Sequence, residues 1–442
     1  LIPLPQKSIF APQNQSTMMI PKTLFCLLLL AVIAGTSCSK STAPAKSVQA
    51  YSGAAVLYWN EVAYEAFGGT QYQHSLMASR INALVHLAMH DAVNGVEERY
   101  ERYAFTGKDA EAHPVAAVAS AAHAILLKET PGRKGYLDSA LAQSLATVPA
   151  GEARDRGIVL GSAAAEAVLA KRAGDGSAGD PVNPVPPSNV PGVYQPVPPF
   201  DFAFALNWEN VQPFALERKD QFRVAPHPAL NSAAYAEAFR EVKENGKRNS
   251  STRTPDQLAY ARYWYEFSEA GWNRVARVAS EKEGLSLPEA ARLFALVDMA
   301  MADAYIAGWD SKIHYNFWRP FTAIRQAGTD GNEATAADAA WESEMPTPPI
   351  HDYPSTHSAL GNAAATVLSR LLGSNTGFTM SSPTAVPEGA VRSFPSFRQA
   401  ADENADSRVQ AGLHFRFSCV AGQSLGDKIG NWVVDHALQP VK

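Results

Sequence analysis

Long stretches of this chain place apolar side chains three and four residues apart, with alanine common and β-branching rare. That is the periodicity of amphipathic helices. It runs over 51–67, 75–95, 114–127 and 151–173, and again over 230–246, 255–268 and 287–310. Between the two groups, residues 174–200 (GDGSAGDPVNPVPPSNVPGVYQPVPPF) carry so much proline and glycine that neither a helix interior nor a central strand is open to them. Apolar content continues through FDFAFALNWENVQPFAL to Leu216, so this part predicts an ordered strap packed over the surface and reaching towards a site rim. Outside it no alternation lasts long enough for a substantial sheet. The pattern predicts an all-α protein: two packed helical bundles, 51–173 and 230–442, connected by a proline-rich strap at 174–229.

The amino end reads differently. Residues 1–17 show no periodicity; from Met18, one lysine precedes an apolar stretch at 24–34, and Gly35, Thr36 and Ser37 then lead to Cys38. The apolar run is short for a bilayer span and reads as a signal peptide. Cys38 after three small residues resembles a bacterial lipobox, with Gly35 in place of the usual leucine. An ordinary secretory signal with an incidental cysteine is the alternative. The expectation is therefore an upstream extension and lipoprotein-type leader at 1–38 and a tether at 39–50. A lipidated Cys38 would be the only membrane attachment of an exported protein, periplasmic or on the outer membrane or cell surface. Cys419 is then left unpaired, and stability must come from the helical core rather than a disulfide.

Composition narrows the chemistry. With 442 residues and 46% hydrophobic content the chain can bury a large core, while a net charge of -5 excludes a nucleic-acid surface. Neither a CxxCH nor a glycine-rich βα fingerprint is present, which leaves haem and nicotinamide without support. His86 and His90 stand one helical turn apart, but no HExxH forms, so hydrogen bonding between helices is the favoured reading. Tyr263, Trp264, Tyr265 and Trp272 are read as interhelix packing, with the wall of a site mouth as the alternative.

Candidate chemistry gathers near the carboxyl end in KIHYNFWRP, HDYPSTHS and SRVQAGLHFRFS. If the first is helical, Lys312 and Arg319 share a face and Pro320 stops the helix. Two cations among Ile313, Tyr315, Phe317 and Trp318 require an anion, because burying them unpaired is costly. In the second, Pro354 fits a first helical turn and Gly373 a stop about 18 residues on. That places Ser355, Thr356 and His357 where a helix exposes free N–H groups. In the third, Arg408 and His414 are six apart and converge only through a bend at Gly412.

These stretches resemble the vanadium-dependent haloperoxidases of the type-2 phosphatidic-acid-phosphatase superfamily, whose pattern is K-x6-RP, PSGH and SR-x5-H-x3-D. Thr356 replaces the glycine of PSGH, and Ser418 stands where the aspartate usually does. The likeness covers 290–435 closely and the amino-terminal half loosely. It implies orthovanadate as cofactor, held by Lys312, Arg319, Ser355, Thr356 and Arg408, with His414 as the metal ligand and His357 as acid/base. Lys312 would also polarise peroxide, and Trp318 and His351 are implied as the halide shell. The implied reaction is oxidation of a halide ion, iodide or bromide ahead of chloride, by hydrogen peroxide, with small organic acceptors halogenated by the hypohalous acid. A phosphomonoesterase is the alternative, with His414 as nucleophile and His357 as general acid. A serine at 418 supports a nucleophilic histidine poorly, so Asp427 or Asp406 would have to take the aspartate's place. Exposed helix faces would permit a homodimer.

Overall fold

Residues 47–441 are described by the computed structural model; the expected leader with Cys38, and residues 39–46 of the expected tether, lie outside them. Residues 48–50 were expected to finish that tether. They instead form a 3-10 turn with Val48 fully buried, because its side chain joins the main core.

The first group of helices is α1 (Ala54–Phe67), α2 (Ser75–Val96), α3 (Pro114–Glu129), α4 (Lys134–Ala146) and α5 (Glu152–Lys171). The second is α6 (Ala233–Asn245), α7 (Pro255–Tyr263), α8 (Ser268–Glu283), α9 (Leu287–Tyr315), α10 (Pro320–Arg325), α11 (Thr356–Leu372), α12 (Phe397–Gln410) and α13 (Arg416–His436). Strands are confined to two hairpins among the described residues: β1 (Val182–Pro184) with β2 (Phe202–Phe204), and β3 (Phe378–Ser381) with β4 (Val391–Phe394). The described residues make one compact unit, because α9 packs against α2 of the first group and against α11 and α13 of the second. No helix among the described residues is long and apolar enough to cross a membrane.

Three aspartates of α9 show how an apolar central helix holds its neighbours. Asp298 accepts from Asn273 of α8 at 2.7 Å and faces His86 Nδ1 of α2 at 2.6 Å. Asp303 accepts the backbone N–H groups of Phe214, Ala215 and Leu216 in the strap, at 2.6, 2.8 and 2.9 Å. Asp310 takes a two-pronged bond from Arg223, 2.7 Å on each side. Buried carboxylates are stable only when their oxygens are occupied this way. His86 Nε2 also meets Asn60 Nδ2 of α1 at 3.3 Å, an interhelix contact, whereas His90 bonds the carbonyl of Glu101, in the loop after α2, at 2.9 Å.

The strap is ordered. Its 192–194 segment pairs with the loop after α9: Trp318 N donates to Gly192 O and Tyr194 N to Asn316 O, both at 2.9 Å. Two expectations fail here. The helix carrying Lys312 ends at Tyr315, because Asn316 turns left-handed with φ 47°, a conformation asparagine tolerates. Lys312 and Arg319 therefore do not share a helical face. Pro320 opens α10 instead of stopping α9, the first-turn position proline suits. The continuous helix expected over 255–268 also breaks, after Tyr263, and resumes at Ser268.

Candidate active site

The site is assembled from the carboxyl end of α9, the amino end of α11 and the bend between α12 and α13. Lys312 is fully buried, its Nζ donating to the carbonyls of His351 (2.7 Å) and Asp352 (3.0 Å). Burial, then the neighbouring Arg319, pushes its pKa well down, against a smaller opposing pull from Asp352. Arg319, 1% exposed, donates Nε to Ile350 O (2.6 Å) and Nη1 to Leu413 O (2.8 Å). The latter nitrogen also lies 3.0 Å from His414 Nε2.

Arg408 follows from α12. Gly412, at φ 79°, makes the bend that returns the chain so that Arg408 and His414 converge. Arg408 is 2% exposed, and among the described residues it makes one long hydrogen bond, Nη1 to Trp264 O at 3.4 Å. Its Nε is buried without a partner. Burial and the nearby Arg319 lower its pKa, to about 10, against an opposing effect of Tyr265.

The PSTH turn differs from expectation by one step. Ser355 is the N-cap and α11 begins at Thr356, so Pro354 precedes the helix instead of sitting in its first turn. The Ser355 hydroxyl accepts from Ser358 N (3.4 Å) and Ser358 Oγ (3.0 Å), which leaves its own proton to donate. Thr356 N opens the helix, where N–H groups lack intrahelical acceptors. The Thr356 methyl points away, into the gap at Gly308 of α9, where an added Cβ would lie 2.4 Å from it. Helix α13 closes the rear: a Cβ at Gly422 would meet Ser355 O at 2.2 Å.

His357 is held in a defined tautomer. His357 Nε2 faces the carbonyls of Trp264 (3.1 Å) and Glu266 (2.9 Å), which only accept, so Nε2 carries a proton and Nδ1 is bare in the neutral ring. The helix break after Tyr263 supplies both carbonyls. The His414 ring lies against Arg319, whose Nη1 is 3.0 Å from Nε2 and 3.5 Å from Nδ1. Nδ1 meets Asp352 Oδ1 at 2.9 Å. Burial, Arg319, Lys312, Arg408 and His357 push His414 well below the ordinary histidine range, which also shows that these groups share one small volume.

Asp352 was not anticipated. Asp427, offered for its place, is engaged by Asn362, Thr366 and Arg398; Asp406 is engaged by Tyr260 and Arg416. Ser418 donates its hydroxyl to Asp352 Oδ2. The signal was available, as a carboxylate inside HDYPSTHS itself.

Of the remaining candidates, Trp318 is completely buried. His351 is 7% exposed, lies against the Tyr194 ring of the strap (centroids 4.5 Å), and falls to about 3 in pKa through burial, Lys312 and Arg319. It is therefore neutral. The aromatic cluster divides: Trp264 and Trp272 stack in the core (5.9 Å), while Tyr265 lies under Arg408.

Lys312, Arg319 and Arg408 set three buried basic groups against one neighbouring carboxyl group, Asp352, among the described residues. With the orphaned Arg408 Nε and the Ser355 proton, the donor set fits a compact tetrahedral oxyanion, and His414 Nε2 adds a nitrogen ligand for its central atom.

A family model described as the VCPO second helical-bundle domain matches residues 292–442. Vanadium chloroperoxidase of Curvularia inaequalis is 27% identical over an alignment covering 55% of this chain and 50% of that protein. The chain thus spans half the length of this curated relative. A solved bacterial vanadium-dependent iodoperoxidase superposes with a TM-score of 0.77 at 26% identity, covering 88% of this chain and 98% of that one. A holo-type bacterial vanadium-dependent chloroperoxidase shares the fold, with a TM-score of 0.68 at 18% identity over 83% and 93% of the two chains.

Proposed function

Because the chain belongs to the vanadium-dependent haloperoxidase family, related to the type-2 phosphatidic-acid phosphatases, we propose that it oxidises halide with hydrogen peroxide. The observation that carries this reading is the gathering of three buried basic side chains, Lys312, Arg319 and Arg408, around the two histidines. Lys312, Arg319, Arg408, the Ser355 hydroxyl and the Thr356 N–H hold the oxyanion, and His414 ligates its centre. When bound, vanadate supplies Lewis-acid activation of peroxide without changing oxidation state. His357 takes up a proton at Nδ1, since its Nε2 is committed to two carbonyls. Lys312, held by two carbonyls, keeps one ammonium proton to direct at an incoming peroxide. His351, neutral and buried against Tyr194, lines the halide approach with Trp318. Iodide and bromide release an electron pair more readily than chloride and are the expected substrates, in keeping with the iodoperoxidase among the structural relatives.

A phosphomonoesterase reading is favoured by one observation. Asp352 backs His414 and makes it a better nucleophile than Ser418 alone would. Iodide oxidation that appears on loading with orthovanadate and vanishes in His414→Ala separates the two. Export and lipidation at Cys38 belong to the same proposal; incorporation of a labelled acyl chain that Cys38→Ala abolishes tests them.

A further inference from the structure

We propose that Asp352 and Ser418 act as one positioning unit for His414: the carboxylate holds Nδ1–H while the serine hydroxyl locks the carboxylate, so that Nε2 is presented bare to the bound oxyanion. The inference rests on the reading of His414 as a ligand, and extends it to two residues that touch neither cofactor nor substrate.

The three side chains stand at short range, although Asp352 Oδ1 makes no hydrogen bond of regular geometry. Asp352 Oδ1 lies 2.9 Å from His414 Nδ1, and Oδ2 receives the Ser418 hydroxyl. Asp352 cannot swing, since its N–H donates to Phe317 O (2.9 Å) and its carbonyl accepts from Lys312 Nζ (3.0 Å). Ser418 is held in turn, because its carbonyl accepts from Ser355 N at 2.9 Å. The unit thereby ties the His414 ring to the helix N-terminus that carries Ser355 and Thr356. All three residues are at most 3% exposed, so water has little access to these groups. A carboxylate fixed by a serine at 352 and 418 is chemically equivalent to the exchanged pair, a serine at 352 and an aspartate at 418. The unit is therefore expected to tolerate exchange better than loss.

The test measures vanadate affinity of the full-length apo protein by titration calorimetry for wild type, Asp352→Asn, Ser418→Ala and the exchange Asp352→Ser with Ser418→Asp. Removing such an outer partner of a metal-binding histidine typically weakens binding about 10–100-fold. Asp352→Asn is expected in that range, Ser418→Ala to lose less, and the exchange to recover most of the loss. A merely structural role would make the exchange worse than either single change, which would overturn the proposal, as would unchanged affinity in Asp352→Asn. Nitrogen-15 shifts of the His414 ring, assigned by difference against His414→Gln, give an independent readout without vanadate. Wild type should show a protonated Nδ1 and a bare Nε2, and Asp352→Asn a mixture; identical tautomers in both would refute the unit. Failure of wild type to bind vanadate while the tautomer still depends on Asp352 would sink the cofactor reading and leave the positioning unit standing.

Discussion

Gly308→Ala should damage the oxyanion cage from the back. The added Cβ would lie 2.4 Å from the Thr356 methyl and 3.7 Å from its Cβ. Non-bonded carbons settle at about 3.5–4 Å, so the two methyls must part by at least about 1 Å. Neither side yields easily. Gly308 is deep within the 29-residue α9, and Thr356 is β-branched and stiff at χ1. It also follows a cap whose N–H is fixed to Ser418 O at 2.9 Å. Overpacking of this kind costs about 1–3 kcal/mol, and displacement of the Thr356 N–H should weaken vanadate binding as well. Thr356→Gly alone should cost about 1 kcal/mol, a few tenths from helix propensity and the rest from the buried methyl it removes. In the double variant the overlap disappears, so its stability should approach that of Thr356→Gly. Denaturant unfolding of the four proteins forms a double-mutant cycle, with thermal midpoints at a fixed scan rate as a second measure. A coupling energy of about 1–3 kcal/mol is expected. Additivity within about 0.5 kcal/mol would show that the methyl does not occupy the Gly308 gap, and the explanation of how a threonine fits this turn would fail.

Asp303→Ala orphans the strap N–H groups of Phe214, Ala215 and Leu216, each worth about 1–3 kcal/mol when left buried and unpaired. Limited proteolysis should then cut the strap first, and unchanged resistance there would contradict its anchoring role. Glu269 lies in a clamp of Tyr72 (2.6 Å) and Tyr305 (2.9 Å), and burial raises its carboxyl to about 7 from 4.5, outweighing those hydrogen bonds. Between these values the folded state keeps a proton that the unfolded state has released, so this group makes stability fall as pH rises from about 4.5 to about 7 and level off above. Glu269→Gln should flatten that slope, by a few kcal/mol at most (about 1.4 per pKa unit); parallel stability–pH curves for the two proteins would refute the assignment.

The residues of the cage were legible because each lies in a short motif whose spacing carries the information: Lys312 with Arg319, Ser355 to His357, and Arg408 with His414 across Gly412. What joins the motifs was not. Asp352 meets His414 across 62 positions, and although it stands inside HDYPSTHS, no motif spacing announces that pairing. The break after Tyr263 was missed because helix-compatible residues run straight through 255–268, yet it frees the Trp264 and Glu266 carbonyls that orient His357. Asn316 gave a readable signal, as a left-handed-tolerant residue four positions before a proline, and it overrides the helical continuity assumed between Lys312 and Arg319. Helix α4 went unassigned because only Leu137 and Ala140 are buried along it, too few to set a period. The strap's order was visible in its apolar content, whereas its pairing with the loop after α9 depends on backbone bonds that no side chain announces.

The central claim is tested most directly by steady-state oxidation of iodide and bromide with hydrogen peroxide, on purified protein before and after loading with orthovanadate. Hydrolysis of a generic phosphomonoester is followed in the same preparations. The account predicts halide oxidation that requires vanadate and is abolished in His414→Ala. Phosphate release by the apo protein, inhibited by vanadate and without halide turnover after loading, would contradict it and assign the same cage to a phosphatase.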